Sequence, residues 1–218
     1  MATLQNVLQS IAAYINQDPT LSTGTDLTMQ VNLVNQAIQE WGVTYQWKQL
    51  KQSIAPSFTV SAVSVALPQN FSKTRSPLFD VAQSPAVRYF EIDPSERYQH
   101  VSTDKYMYIL GNDVTGYNMM VNPPLASGAS LNIDIQVNPS SVATLQDIIP
   151  CPSSQFIVTR TLAKILSARS DPRFPSMDQQ SDNLLQNLIE EEMAASGGEL
   201  NRTSDQYSRM SFRVGRDG

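Results

Sequence analysis

Reactive side chains are almost missing from this sequence, which has one cysteine, Cys151, and one histidine, His100. A lone cysteine excludes an intrachain disulfide and points to a reducing compartment. A zinc site draws about four ligands from Cys, His and carboxylates. Neither His100 in RYQHVST nor Cys151 in PCPSS has a neighbour that completes such a set. Both read as bystanders, and no metal or other cofactor is expected. Charge is also scarce, at 16% of residues, so Ser, Asn, Gln and Thr must supply much of the surface. The net charge of −5 leaves no excess of cations for gripping phosphate. No run approaches the roughly 20 apolar residues that span a bilayer. The amphipathic N-terminus, uncharged at its start, does not read as a secretory signal. A Walker loop, G-x-G-x-x-G, H-E-x-x-H and G-x-S-x-G are all missing. The expectation is a protein that is not an enzyme, and no reaction is assigned to it.

What remains is length and pattern. The chain has 218 residues, 41% of them hydrophobic, enough for one full domain or a small domain carrying an insertion. Leu4, Val7, Leu8, Ile11 and Ile15 form an apolar stripe that Asp18-Pro19 stops. Leu27, Val31, Val34, Ile38 and Trp41 recur at the helical period, with Thr25 or Asp26 as N-cap and Gly42 as breaker. From Lys48 the texture turns to strands. FTVSAVSVALP alternates around Val63, Val65 and Leu67, SPLFDV is a short strand, and KYMYILGNDVTGYNMMVNPP reads as a hairpin joined by GND. Asp93, Pro94 and Glu96 predict one short helix between them. Leu131, Ile133, Ile135 and Val137 alternate with polar residues, the pattern of a half-buried antiparallel strand. Helices then return. Pro152 opens the first of them, with Phe156, Leu162, Ile165 and Leu166 on its buried face. Ser176 and Gln179 form a capping box for the second, where Leu184, Leu185, Leu188, Ile189 and Met193 are the apolar side and Gly197-Gly198 the end.

This order predicts an α+β protein: a helical bundle of two N-terminal and two C-terminal helices, with an inserted antiparallel β-sandwich or barrel and an extended C-terminal tail. The boundaries read as 1–46 and 150–196 for the bundle, 47–149 for the β-domain and 197–218 for the tail.

The same order resembles the head-to-tail adaptor proteins (also called connectors or gatekeepers) of tailed bacteriophages, especially those with short tails. Four segments carry the resemblance: QEWGVTYQW at the end of the second helix, LPQNF, YNMMVNPPLASGASLNIDIQVNPSSV, and PCPSSQFIVTRTLAKILSARSDPRF. LPQNF is similar to an L-P-x-D-F turn of that family, with Asn70 in the acidic position. The likeness covers most of Leu4 to Ala195 and rests on the order of these segments, none of which is catalytic. It implies a structural virion protein of the head–tail neck, assembled in the host cytoplasm. Such a protein forms a homo-oligomeric ring, commonly of twelve copies, under the portal protein and presents a platform to a tail or nozzle protein. DNA passes through the ring as cargo, and no membrane is involved.

Four groups of residues stand out against that background. The scarce indoles Trp41 and Trp47, with Tyr45 between them, read as wedges at the junction of bundle and β-domain. The other reading of these rings is a stacking platform for a sugar or base. Glu190, Glu191 and Glu192 occupy three angular positions of one helix and read most simply as a solvated face. Repeated around a ring, they are also candidates to line a DNA channel that phosphate does not stick to. In the tail, Met210, Phe212 and Val214 alternate with Ser211 and Arg213 at strand period. With Arg202, Tyr207, Arg209, Arg213 and Arg216 they make a candidate docking segment for the portal. Tyr106, Tyr108, Tyr117, Met119 and Met120 of the hairpin are expected to divide between core and an outer contact face. A carbohydrate- or peptide-binding β-sandwich module on a helical stem is the alternative function.

Overall fold

A computed structural model describes residues 2–15 and 25–195. The expected tail, with Arg202, Tyr207, Arg209, Met210, Phe212, Arg213, Val214 and Arg216, lies outside the described residues. The described chain is mixed α+β, with four α-helices and one curled mixed sheet. It divides into two compact units, Met1–Tyr45 with Ser140–Gly218, and Gln46–Pro139.

The first unit holds α1 (Leu4–Tyr14), α2 (Thr25–Thr44), α3 (Ser154–Ala168) and α4 (Phe174–Ala195). Thr3 caps α1 by accepting from Asn6 N, and Leu4, Val7, Leu8 and Ile11 form the buried stripe. Backbone donors at a helix start need outside partners. Leu4 N finds Asp147 O at 2.9 Å and Gln5 N finds Leu145 O at 3.0 Å. On α2, Asn35 clamps Val142: its Oδ1 accepts from Val142 N at 2.8 Å and its Nδ2 donates to Val142 O at 2.9 Å. Residues 140–149, read from the sequence as the end of the strand block, are thus fastened to α1 and α2. No hydrophobic period marks them, because backbone and amide bonds hold them.

Three helix boundaries differ from the sequence reading. Gly42 does not end α2, which runs to Thr44. A helical glycine costs about 1 kcal/mol, and burial of Val34, Ile38 and Trp41 on the same helix outweighs that. Pro152 precedes the cap of α3, since Ser153 Oγ accepts from Phe156 N at 3.2 Å and so takes the cap position. Nearly every face of α3 is buried, because it packs against α1, α2 and α4. After α3 the chain turns through Ser170 in the left-handed region (φ 53°), and Asp171 N returns to Leu166 O at 2.9 Å. That turn starts α4 at Phe174, ahead of Ser176, so the expected Ser176–Gln179 box falls inside the helix.

The second unit is the sheet. Its strands are β1 (Lys51–Ile54), β2 (Ser64–Ala66), β3 (Phe71–Thr74), β4 (Leu78–Asp80), β5 (Val87–Glu91), β6 (Tyr106–Asn112), β7 (Gly116–Asn122) and β8 (Leu131–Val137). They run in the order β1-β8-β4-β5-β6-β7-β2, and β3 also pairs with β8. The expectation of a purely antiparallel sheet is corrected at one place: β5 and β6 are parallel, with Phe90 opposite Tyr106. A parallel neighbour needs a crossover of about a dozen residues or more, and the segment between Glu91 and Tyr106 supplies it. The short helix expected from Asp93, Pro94 and Glu96 is present in 3-10 form, with Ser95 and not Asp93 at its cap position. Asp93 Oδ1 takes Ser95 N at 2.8 Å, and the 3-10 turn, Glu96–Gln99, follows.

Along β8, β3 and β4 act as one strand broken before Pro77, which has no N–H to give. Ser76 bridges the gap: its Oγ accepts from Asp134 N at 2.9 Å, while Arg75 N donates to Asp134 O at 2.8 Å. One face of the sheet buries Leu78, Tyr89, Met107, Met119, Val121, Leu131, Ile133 and Ile135 as a continuous core. The hairpin turns at Asp113–Thr115, two residues later than GND, because Gly111 and Asn112 remain in β6 and Asn112 Oδ1 accepts from Val114 N and Thr115 N, both at 2.9 Å. Gly111 has φ +123°, and a Cβ there would collide with the backbone oxygen of Gly116. That position requires glycine.

Candidate functional site

Strand alternation decides what the sheet shows to solvent. Tyr89, Met107, Met119 and Val121 point into the core, so their neighbours Arg88, Phe90, Tyr106, Tyr108 and Met120 stand on the opposite, outer face. Register brings them together: Phe90 lies opposite Tyr106, and Tyr108 opposite Met120. The 3-10 turn adds Arg97 and Tyr98, and the residue after it is His100.

These groups form a ladder of planar side chains. His100 lies 5.1 Å from Tyr106, and Tyr106 stacks on Tyr108 at 6.3 Å. The Arg97 guanidinium sits 5.9 Å from the Tyr108 ring and 4.5 Å from the Tyr98 ring, and its Nη2 donates to Tyr98 Oη at 2.6 Å. At the neighbouring strand Arg88 covers Phe90 at 4.6 Å. Tyr98 is 81% exposed and Phe90 50% exposed. Large apolar groups usually avoid such positions unless something covers them. Cation–π stacking of this kind contributes about 0.5–1 kcal/mol at an exposed site. Its larger effect here is to hold two guanidiniums in place before any partner arrives. Tyr and Arg anchors of this sort dominate the energetics of protein contacts.

The sequence-derived candidates fall in several places. Tyr106, Tyr108 and Met120 are on the outer face. Met119 is buried, and Tyr117 packs edge-on against Phe71 at 5.2 Å beside the core. Trp41 is 0% exposed and Trp47 1%, which leaves no indole face for a ligand and removes the stacking-platform reading. The division between the two units falls just after Tyr45, with Trp41 on one side and Trp47 on the other. Glu190, Glu191 and Glu192 occupy the last turns of α4. The first two are exposed, Glu192 is half-buried, and Gln186 Nε2 donates to Glu190 Oε1 at 3.2 Å.

Arg88, Phe90, Arg97 and Tyr98 escaped the sequence reading. Their signal was the arginine–aromatic adjacency in VRYFE and SERYQ, which no hydrophobic period flags. A second group, within the helical unit, escaped as well. Arg160 on α3 bonds Glu40 of α2 at 2.7 Å and, on α4, Asp178 at 2.7 Å and Asp182 at 3.2 Å, while Lys164 holds the other oxygen of Glu40. Burial alone raises the pKa of the Glu40 carboxyl, but hydrogen bonds from Lys164 and Arg160 outweigh it and leave the pKa below the ordinary value. Every carboxylate of this cluster is engaged by a cation, so it joins helices and offers no free acid or base. Arg160 and Lys164, four apart on a helix with no other charge, were the available clue.

Among the described residues no group of three or more His, Cys, Asp or Glu could hold a metal ion. Burial pushes the Cys151 thiol up to about 12, which keeps it protonated and unreactive. His100 Nδ1 lies 3.3 Å from Asp104 Oδ2 at the edge of the aromatic ladder. No described helix is long and apolar enough to cross a membrane. No protein-family model and no curated protein matches the chain.

Proposed function

We propose that this chain is a structural virion protein, a head-to-tail adaptor that assembles as a ring beneath a portal protein and links the capsid to a tail or nozzle protein. The observation that carries this reading is the layout of the chain: a helical unit split in two by a contiguous sheet unit, Gln46–Pro139. That is the arrangement implied by the four segments resembling the adaptor family. In this reading the four helices act as one bundle and the curled sheet as a compact β-domain, presenting separate faces to portal and tail. DNA is cargo in the ring's channel. The segment from Arg202 to Arg216 supplies portal contacts. Many weak contacts repeated around a ring make a long-lived joint.

The test is electron microscopy and mass photometry of the purified chain with portal rings. Recruitment as a ring under the portal supports the reading, and deletion of Asn201–Gly218 abolishes it with the fold retained. Undiminished recruitment of the truncated chain sinks the docking role of the tail, and no recruitment of the intact chain sinks the function. The exposed aromatic–arginine face favours a second reading, a carbohydrate- or peptide-binding module on a helical stem. Glycan or peptide binding by a persistent monomer, lost on Tyr98→Ala, favours that alternative.

A further inference from the structure

Two described surfaces carry opposite chemistry. We propose that the aromatic–arginine face of β5–β6 in one copy docks on the Glu190–Glu191 end of α4 in a second copy, and that this contact builds the ring; the inference rests on the ring reading above. Among the described residues no carboxylate pairs with Arg88 or Arg97, which are held in place by stacking on Phe90 and on Tyr98 and Tyr108. Across its 22 residues α4 carries five carboxylates and no Lys or Arg. Arg160 takes Asp178 and Asp182, whereas Glu190 and Glu191 have no cation among the described residues. They also sit at the helix end where the macrodipole is negative, an arrangement that a cationic partner relieves.

Apolar surface matches as well. Leu184 and Leu188 precede Glu191 by seven and three residues, share its stripe and are only half-buried, and Met193 is 40% exposed. Phe90 and Tyr98 offer rings to such side chains. Copies with a net charge of −5 repel each other. The sheet unit, however, balances seven Lys and Arg with seven Asp and Glu, so the net charge belongs to the other unit. A sheet unit without net charge meeting an acidic helix avoids the repulsion that helix against helix incurs. The two patches are different, which makes the contact heterologous, the type that continues from copy to copy until a ring closes.

Cysteine pairing between separate molecules tests this. Tyr98→Cys and Glu191→Cys proteins are mixed in equal amounts and treated with a short bis-maleimide, with the buried Cys151 as the only native thiol. Mass photometry of the same samples counts rings. The expected result is a cross-linked dimer roughly tenfold more abundant in the mixture than in either protein alone. Arg97→Glu reduces it by about the same factor, and adding Glu190→Arg to the Glu191→Cys partner restores cross-linking to the Arg97→Glu chain. Rings without enriched cross-linking overturn this pairing and leave the ring reading intact. Equal cross-linking within one protein alone assigns the face to an isologous dimer and overturns it. Neither rings nor cross-links removes both, and protection of the Tyr98→Cys thiol by a neutral oligosaccharide gives the face to a different occupant.

Discussion

The two units of this molecule are held together in different ways. The helical unit adds to its buried apolar core a set of polar contacts that reach far along the sequence: Arg160 to Glu40, Asn35 to Val142, and the backbone of Leu4 to that of Asp147. The sheet unit depends on the ladder itself, with Ser76 filling the one place where Pro77 breaks it and an apolar core on one side. One unit carries the chain's net charge while the other balances its charges and exposes aromatic rings instead. Specificity in the first is electrostatic and internal; in the second it is turned outward.

Separate perturbations of the two units, one in the helical core and one in the hairpin, test this contrast most severely. Phe156→Ala empties the centre of α3 and is expected to cost about 3–5 kcal/mol. Hydrogen exchange then accelerates in α1 to α4 and stays protected in β6 to β8 if the units are energetically independent. Equal acceleration in both means that they unfold together. Gly111→Ala forces a side chain into a left-sided backbone beside Gly116 and is expected to cost roughly 2–3 kcal/mol, confined to the hairpin. Tyr117 and Met119 amides report it, and a neutral effect contradicts the close strand approach at that residue.

Arg160→Ala is next. It strips the cation shared by Glu40, Asp178 and Asp182 from a half-buried site, and a loss on the order of 2 kcal/mol is expected after allowing for solvent screening. Arg160→Lys recovers part of it, because an ammonium cannot span three carboxylates in the way a guanidinium does. The smallest effect concerns Asp147. Hydrogen bonds from Ala143 N and from Thr144 hold its pKa at about 2, below the value in an unfolded chain. A depressed folded pKa contributes stability above the unfolded value, near 4, which is lost as pH falls towards about 2. Asp147→Asn is therefore expected to lose that contribution at neutral pH, where it is fully present, and to converge with the native chain as pH falls towards about 2, which flattens the acid limb of the stability curve over that window. An unchanged acid limb refutes the assignment.

How much of this was legible beforehand follows from the kind of force involved. The stripes of α1 and α2 and the alternation of β8 were readable because burial imposes a period. The parallel pairing of β5 and β6 was not, since nothing in VRYFE or KYMYIL encodes strand direction; the length of the crossover does. Pro152 and Ser176 are both acceptable cap-region residues, and the choice went to Ser153 and to the Ser170–Asp171 turn through bonds made only in three dimensions. On the outer face, Tyr106, Tyr108 and Met120 were legible as hairpin residues. Arg97 and Tyr98 were hidden in a segment read as a helix start, where their mutual stacking has no sequence period. Gln136 was assigned to solvent by alternation and is fully buried, so the period of two fails at the end of β8.

The backbone pairing of Leu4 with Asp147 also has a consequence for synthesis. Ribosomes extend a chain at about 5–20 residues per second, so the first turn of α1 waits on the order of ten seconds for its acceptors to be made. Through that interval the whole sheet unit is translated and has time to form its ladder, while the stripe of Leu4, Val7, Leu8 and Ile11 lacks α3. The N-terminal helices are therefore the part of the nascent protein that most needs a chaperone, and slowing translation within codons 46–139 lengthens that exposure without touching a single residue of the helical unit.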